Sequence, residues 1–234
     1  MRLTAIAAIL ATCLPGQVPP PWSGRPTAEL SNDRLQATVL EDGASIVSIL
    51  LRNGSEMNPL WSPPIRDTAG FGHFVCIDGF GPMSKEELAA GLPPHGEAIR
   101  TKFTVLRHSS PEGATALTLT AILPIAQERV IRHYALRPGE SVIYVRTRVE
   151  SLVGFDRPLV WAEHATIGSP FLERAVTAVD ISGTRSQTRP WETRGKHRLT
   201  SAKDFTWPMA PLAAGGAADL RLAPADSDSG DHTT

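Results

Sequence analysis

The sequence predicts an all-β fold, a large antiparallel β-sandwich, and three observations carry that expectation. Glycine (19) and proline (20) are scattered between short apolar runs along the 234 residues, as turns punctuate strands. Apolar side chains in the middle of the chain alternate with period two, the signature of strands with one buried face. The segments between those runs carry turn chemistry. A chain of this length buries a sizeable core, and no linker-like break in composition divides its middle, so a single domain over residues 23–212 is expected.

Met1-Arg2 followed by the apolar stretch Leu3 to Leu14 reads as the charged and hydrophobic parts of a secretory signal, with a Pro-rich spacer to Trp22. Export to the periplasm or the extracellular space is the expectation for residues 1–22. The alternative is a cytoplasmic protein with a disordered or buried N-terminal strand, because a single Arg makes a weak charged region. Leu10-Ala11-Thr12-Cys13 approximates a lipoprotein processing site, although Thr12 is a poor residue before the Cys.

The first strands are Arg34 to Leu40 and Ala44 to Leu51, joined by Glu41-Asp42-Gly43, whose Gly suits a tight hairpin turn. Ser84 followed by Glu87 makes a capping box, so a short helix continues through Leu88-Ala89-Ala90 and ends at Gly91, in a loop outside the core. Leu117, Leu119 and Ala121 share one strand face, and Thr118 and Thr120 the other. Ile143, Val145, Thr147 and Val149 alternate with Tyr144, Arg146, Arg148 and Glu150, giving a strand with one charged face. Arg137-Pro138-Gly139-Glu140 suits a type II turn and makes that strand antiparallel to the run Gln127 to Leu136. Residues 213–234, rich in Ala, Gly, Asp and Ser, read as a disordered tail.

Composition also removes function classes. A formal net charge of −1 supplies no field for nucleic acid phosphates, and 6% aromatic residues are too few for a general stacking surface. No apolar run of about 18 residues follows the N-terminus, so no membrane span is expected. Two cysteines make no disulfide framework. There is no phosphate loop, dinucleotide fingerprint or Gly-x-Ser-x-Gly elbow, and no cofactor is expected. Oligomeric state is not legible.

Chemistry is sought at the histidines, since imidazole exchanges protons near neutrality. His95 lies in Pro93-Pro94-His95-Gly96-Glu97, where prolines stiffen the approach and Gly96 permits close contact; a surface-turn histidine is the alternative. In Pro158 to Gly168, strand alternation puts Val160, Ala162 and His164 on one face and Trp161, Glu163 and Ala165 on the other. Small Ala162 leaves room beside His164; the alternative is a buried histidine satisfied by a carbonyl. Asp78 and Phe80, with Phe74 nearby, sit among glycines in Gly72 to Pro82, suiting a loop that bonds hydroxyls and covers an apolar ligand face, or equally a structural turn. His73, Cys76, Asp78 and His95 are metal-ligand types, but their spacing fits no strong zinc pattern, and no metal is expected; a metal site around His73 and Cys76 is the weaker alternative.

Three blocks between Leu30 and Leu172 together resemble the galactose mutarotase-like superfamily, which includes aldose 1-epimerases. They are Leu30-Ser31-Asn32 through Gly43 to Ile49 and on to Leu60-Trp61; Phe80-Gly81-Pro82 with Pro94 to Ala98; and Trp161-Ala162-Glu163-His164 with Gly168 to Leu172. The resemblance implies a many-stranded antiparallel sandwich, a small-molecule sugar as partner, and interconversion of sugar anomers through the open-chain aldehyde. It also implies that His164 is the acid that protonates the ring oxygen, that His95 binds and polarises near it, and that a carboxylate takes the anomeric hydroxyl proton. Candidates for substrate contact are His73, Asp78, Phe80, Glu97, Trp161 and Glu163. The family's base is a Glu late in the chain, and this sequence ends at Thr234 before a matching segment. A fragment, a substitute carboxylate and a non-catalytic carbohydrate-binding module are the three expectations that follow. Glu163, Glu97 and Asp78 are the nearby substitutes, and alternation points Glu163 away from His164. An incomplete sandwich also predicts exposed strand edges.

Overall fold

A computed structural model describes residues 22–63, 69–79, 83–109, 114–190, 197–223 and 231–234. The expected signal segment before Trp22 and the candidate Phe80 lie outside the described residues. The fold is all-β and antiparallel, with two main sheets packed face to face.

One sheet has five strands: β1 (Thr27–Ser31), β2 (Leu35–Leu40), β3 (Ile46–Leu51), β4 (His73–Ile77) and, beyond a long excursion, β9 (Trp161–Ala165). Between β4 and the second sheet comes the single helix among the described residues, α1 (Lys85–Ala89), then a 3-10 turn at Ala98–Arg100. The second sheet is a meander of β5 (Thr104–Ser109), β6 (Thr115–Leu123), β7 (Glu128–Leu136) and β8 (Tyr144–Ser151). The chain then crosses back as β9 (Trp161–Ala165), which pairs with β4. Both β8 and β9 are edge strands. Four short strands follow in two separate hairpin-like pairs, β10 (Arg185–Gln187) with β11 (Asp204–Thr206) and β12 (Met209–Pro211) with β13 (Ala217–Asp219).

Local chemistry accounts for the elements. Gly43 takes φ +73° in the turn between β2 and β3, where a Cβ would lie 2.7 Å from the Ile99 carbonyl oxygen. At α1, Ser84 accepts from the Glu87 amide while the Glu87 carboxylate accepts from the Ser84 amide, which is the complete capping box. Along β7, Val130, Tyr134 and Leu136 turn inward in period two, and Glu128 and Arg132 fall on the same buried face. Leu117 and Leu119 of β6 meet Leu30, Val39, Val75 and Ile77 of the first sheet in the principal core. Each such side chain, fully buried, stabilises the fold by about 1.5–3 kcal/mol. Tyr134 ties the layers by donating its hydroxyl to the Ala44 carbonyl.

The disordered tail expected over 213–234 is not what its described part shows: Ala217–Asp219 pairs with Met209–Pro211, and Val179 donates to the Arg221 carbonyl at 2.9 Å, while residues 224–230 lie outside the described residues. Short turns such as that around Gly215 (φ +94°) let an Ala- and Gly-rich segment satisfy its backbone without a large apolar face.

Candidate functional site

The site is built on the pairing of β4 with β9. In their register Phe74 faces His164, Val75 faces Glu163 and Cys76 faces Ala162. Successive side chains of a strand point to opposite sides. Phe74, Cys76, Ala162 and His164 therefore line the outer face of the sheet, while His73, Val75 and Glu163 turn toward the second sheet.

On the outer face the Phe74 ring lies under the His164 imidazole, with centroids 4.6 Å apart and planes 14° from parallel. His95 arrives from the loop after α1. The Gly79 carbonyl accepts from the His95 amide at 2.9 Å, and Pro93 accepts from the Gly96 amide at 2.9 Å. A Cβ at Gly96 would lie 1.9 Å from the Ile77 carbonyl oxygen, so only glycine allows the loop to press against the end of β4. His95 itself holds φ +69°, a left-handed conformation costly for a side chain with a Cβ, kept by that contact.

The result is convergence of two residues far apart in sequence. The His95 and His164 rings stand 6.1 Å apart, edge to face, and His95 is also 6.1 Å from the Phe74 ring. Both imidazoles are half-buried, open enough to meet a ligand. Cys76 Sγ lies 3.5 Å from His95 Nδ1, and buried Ile99 packs beneath with Phe74 and Cys76. Burial pushes the Cys76 thiol up to about 11, with the Glu163 charge adding to it, so it stays protonated near neutrality. Burial also lowers the His164 pKa, and His95 beside it lowers it further. His164 Nδ1 is buried with no hydrogen-bond partner among the described residues.

The carboxylates proposed as neighbours are engaged elsewhere. Glu163 receives both ends of the Arg132 guanidinium, at 2.8 and 3.0 Å, and the Thr147 hydroxyl at 2.7 Å, all on the inner side. Asp78 accepts from Arg157 at 2.7 Å and from the Val160 amide at 3.1 Å. Glu97 accepts from the Ile125 and Ala126 amides at 2.9 and 2.8 Å, which anchors the loop behind His95. His73 lies on the inner face, its Nε2 3.4 Å from Glu163, and burial lowers its pKa against the pull of that carboxylate. Trp161 ends β9 opposite Ile77 and is about half exposed. Of the sequence candidates, the structure brings together His95 and His164, joined by Phe74 and Cys76; it separates His73, Asp78, Glu97 and Glu163 from them.

The four metal-ligand types do not converge, because His73 and Asp78 turn away from Cys76 and His95. Among the described residues no group of three or more His, Cys, Asp or Glu side chains is spaced to hold a metal ion. No helix among them is long and apolar enough to cross a membrane.

Sequence reasoning missed Arg132 and Arg157. The period of β7 carried the signal for Arg132, since the face bearing Val130, Tyr134 and Leu136 passes through it, and a cation on a buried face needs a carboxylate. Arg157 gave no such signal in an irregular segment; it bridges Asp78 and buried Glu128. No family model, no curated protein and no solved structure matches this chain.

Proposed function

We propose that the outer face of β4 and β9 is a sugar site and that the protein is aldose 1-epimerase-like, interconverting anomers with His164 as acid and His95 as the polarising group. The observation that carries this reading is the 6.1 Å approach of the two rings over an aromatic floor. In the step, the bond between the anomeric carbon and the ring oxygen breaks. Protonated His164 gives its proton to that oxygen, and the anomeric hydroxyl passes its proton to a solvent water as the aldehyde forms. Rotation about the neighbouring carbon–carbon bond and reclosure give the other anomer. The protonated Cys76 thiol favours an Nδ1 acceptor on His95, which puts the ring proton on Nε2 as a donor to a sugar oxygen.

A second reading, a non-catalytic carbohydrate-binding module, is favoured by one observation: Glu163, Asp78 and Glu97 are all bound by other partners, away from the imidazoles. Loss of a base costs about 10²- to 10⁴-fold in rate. Equilibration of freshly dissolved α-D-glucose and α-D-galactose, followed by polarimetry, separates the readings when combined with NMR titration of the same sugars. Acceleration abolished by His164→Asn supports the epimerase; saturable binding without acceleration supports the module; neither effect in folded protein refutes both. Export belongs to the same proposal, and the mass of the mature chain from a secreting host tests it.

A further inference from the structure

The inner faces of the two sheets do not close over their whole width. Between β3, β8 and β9 lies a cleft of about 630 Å³, walled chiefly by Ile46, Ile49, Leu60, Val145 and Ala165, with His73 at its inner end. It is separate from the His95–His164 face, because His73 and Ala165 lie across the β4–β9 ladder from each other on the opposite side of that sheet. Its size falls within the range of small-molecule sites, which are mostly apolar with a few polar groups. Among the described residues no Asp, Glu, Lys or Arg lines it, and the one titratable residue of that lining, His73, is kept toward the neutral form by burial.

We propose that this cleft binds an uncharged, largely apolar small molecule. A charged ligand would lose its hydration and meet no opposite charge on the walls. A segment of polypeptide fits less well: its backbone could pair along one side with the free edge of β8 or β9, but the amides and carbonyls of its other side would face walls whose only polar side chains among the described residues are His73 and, toward solvent, Ser55 and Ser141. At the inner end His73 turns Nε2 toward Glu163, while its Nδ1 is buried without a partner among the described residues.

The test uses the full chain and N-phenyl-1-naphthylamine, an uncharged fluorescent probe. Saturable uptake of one probe per chain is expected, with displacement by 1-decanol at least tenfold more effective than by decanoate. Ala165→Trp and Val145→Trp fill the cleft from opposite walls, and each should weaken uptake at least tenfold in protein whose circular dichroism and melting temperature show it folded. His95→Asn and His164→Asn should leave uptake unchanged, which keeps this outcome distinct from the sugar site. Three results would overturn the proposal: no saturable uptake by folded protein, uptake insensitive to a folded cleft-filling variant, or equal displacement by decanoate. Sedimentation showing a dimer that takes up probe only on dissociation would also overturn it, by assigning the cleft to a second copy.

Discussion

Arg132 of β7 crosses the sandwich to hold Glu163 of β9 through two parallel hydrogen bonds, at 2.8 and 3.0 Å, while its side chain is wholly buried. Tyr134 and Thr147 each accept from it as well, so four of the five N–H donors of a guanidinium are engaged. Truncating one partner strands the other's charge, a change that typically costs about 3–5 kcal/mol. Glu163→Ala should therefore lower the urea midpoint strongly, and Glu163→Gln less, because the amide still accepts from Arg132. If Glu163 were instead the missing base, Glu163→Gln would abolish anomer equilibration in a protein of normal stability.

His95 and His164 should act as a pair. His164→Asn is expected to lower the rate of anomer equilibration by about 10²- to 10⁴-fold with sugar affinity changed less, and His95→Asn to raise KM as well as lower kcat. Since burial lowers the His164 pKa, its acid form is scarce at neutral pH. The rate per enzyme should rise as pH falls from 7.5 toward 6, the opposite of what a histidine base would give.

The same shift has a sign for stability. His73 and His164 both have folded pKa values below the ordinary 6.5, so the unfolded chain binds more protons between the folded value and 6.5. Their contribution is complete above pH 6.5 and lost as pH falls through the folded values. Urea midpoints should be higher at pH 7.5 than at pH 5.5, and the double variant His73→Phe, His164→Phe should flatten that difference; an undiminished slope would assign it to other groups.

Gly96→Ala tests how the loop positions His95. A Cβ 1.9 Å from the Ile77 carbonyl oxygen forces the loop off β4. We expect a loss of at least about 1 kcal/mol in stability, and a loss of sugar binding as large as that of His95→Asn. Normal binding by Gly96→Ala would show that the loop is held by other contacts.

Cys76 should be inert while the protein is folded. It is fully buried and its thiol is pushed up to about 11, so little thiolate exists at pH 8. Peptide mapping after alkylation should find Cys76 unlabelled in native protein and labelled in urea; rapid native labelling would mean that the outer face opens.

Much of the framework was legible from short-range chemistry. The turn at Glu41-Asp42-Gly43, the type II signal at Pro138-Gly139 and the Ser84–Glu87 capping box each appear where local residues demand them. Alternation alone separated His164 from Glu163 by face. What the sequence withheld depends on distant partners. Asp78 looked like a hydroxyl-binding group because glycine flanks it, and nothing local announced Arg157, 79 positions away, which claims its carboxylate. Phe74 beneath His164 needed the β4–β9 register, which no hairpin turn dictates because the two strands are joined only through the other sheet.

That register carries a consequence for the evolution of the chain. Asp78 and Val160 exchange backbone and side-chain hydrogen bonds at the open end of the ladder, the amide of each residue being satisfied by the other. This clasp acts as a stop for β9. Inserting or deleting one residue between Arg157 and Trp161 would trade Glu163 for His164 on both faces at once, putting a carboxylate above Phe74 and an imidazole against the Arg132 guanidinium. A single-codon indel there would invert the chemistry of both surfaces, so the exposed side chains of Leu159 and Val160 should tolerate substitution far better than the segment tolerates a change of length.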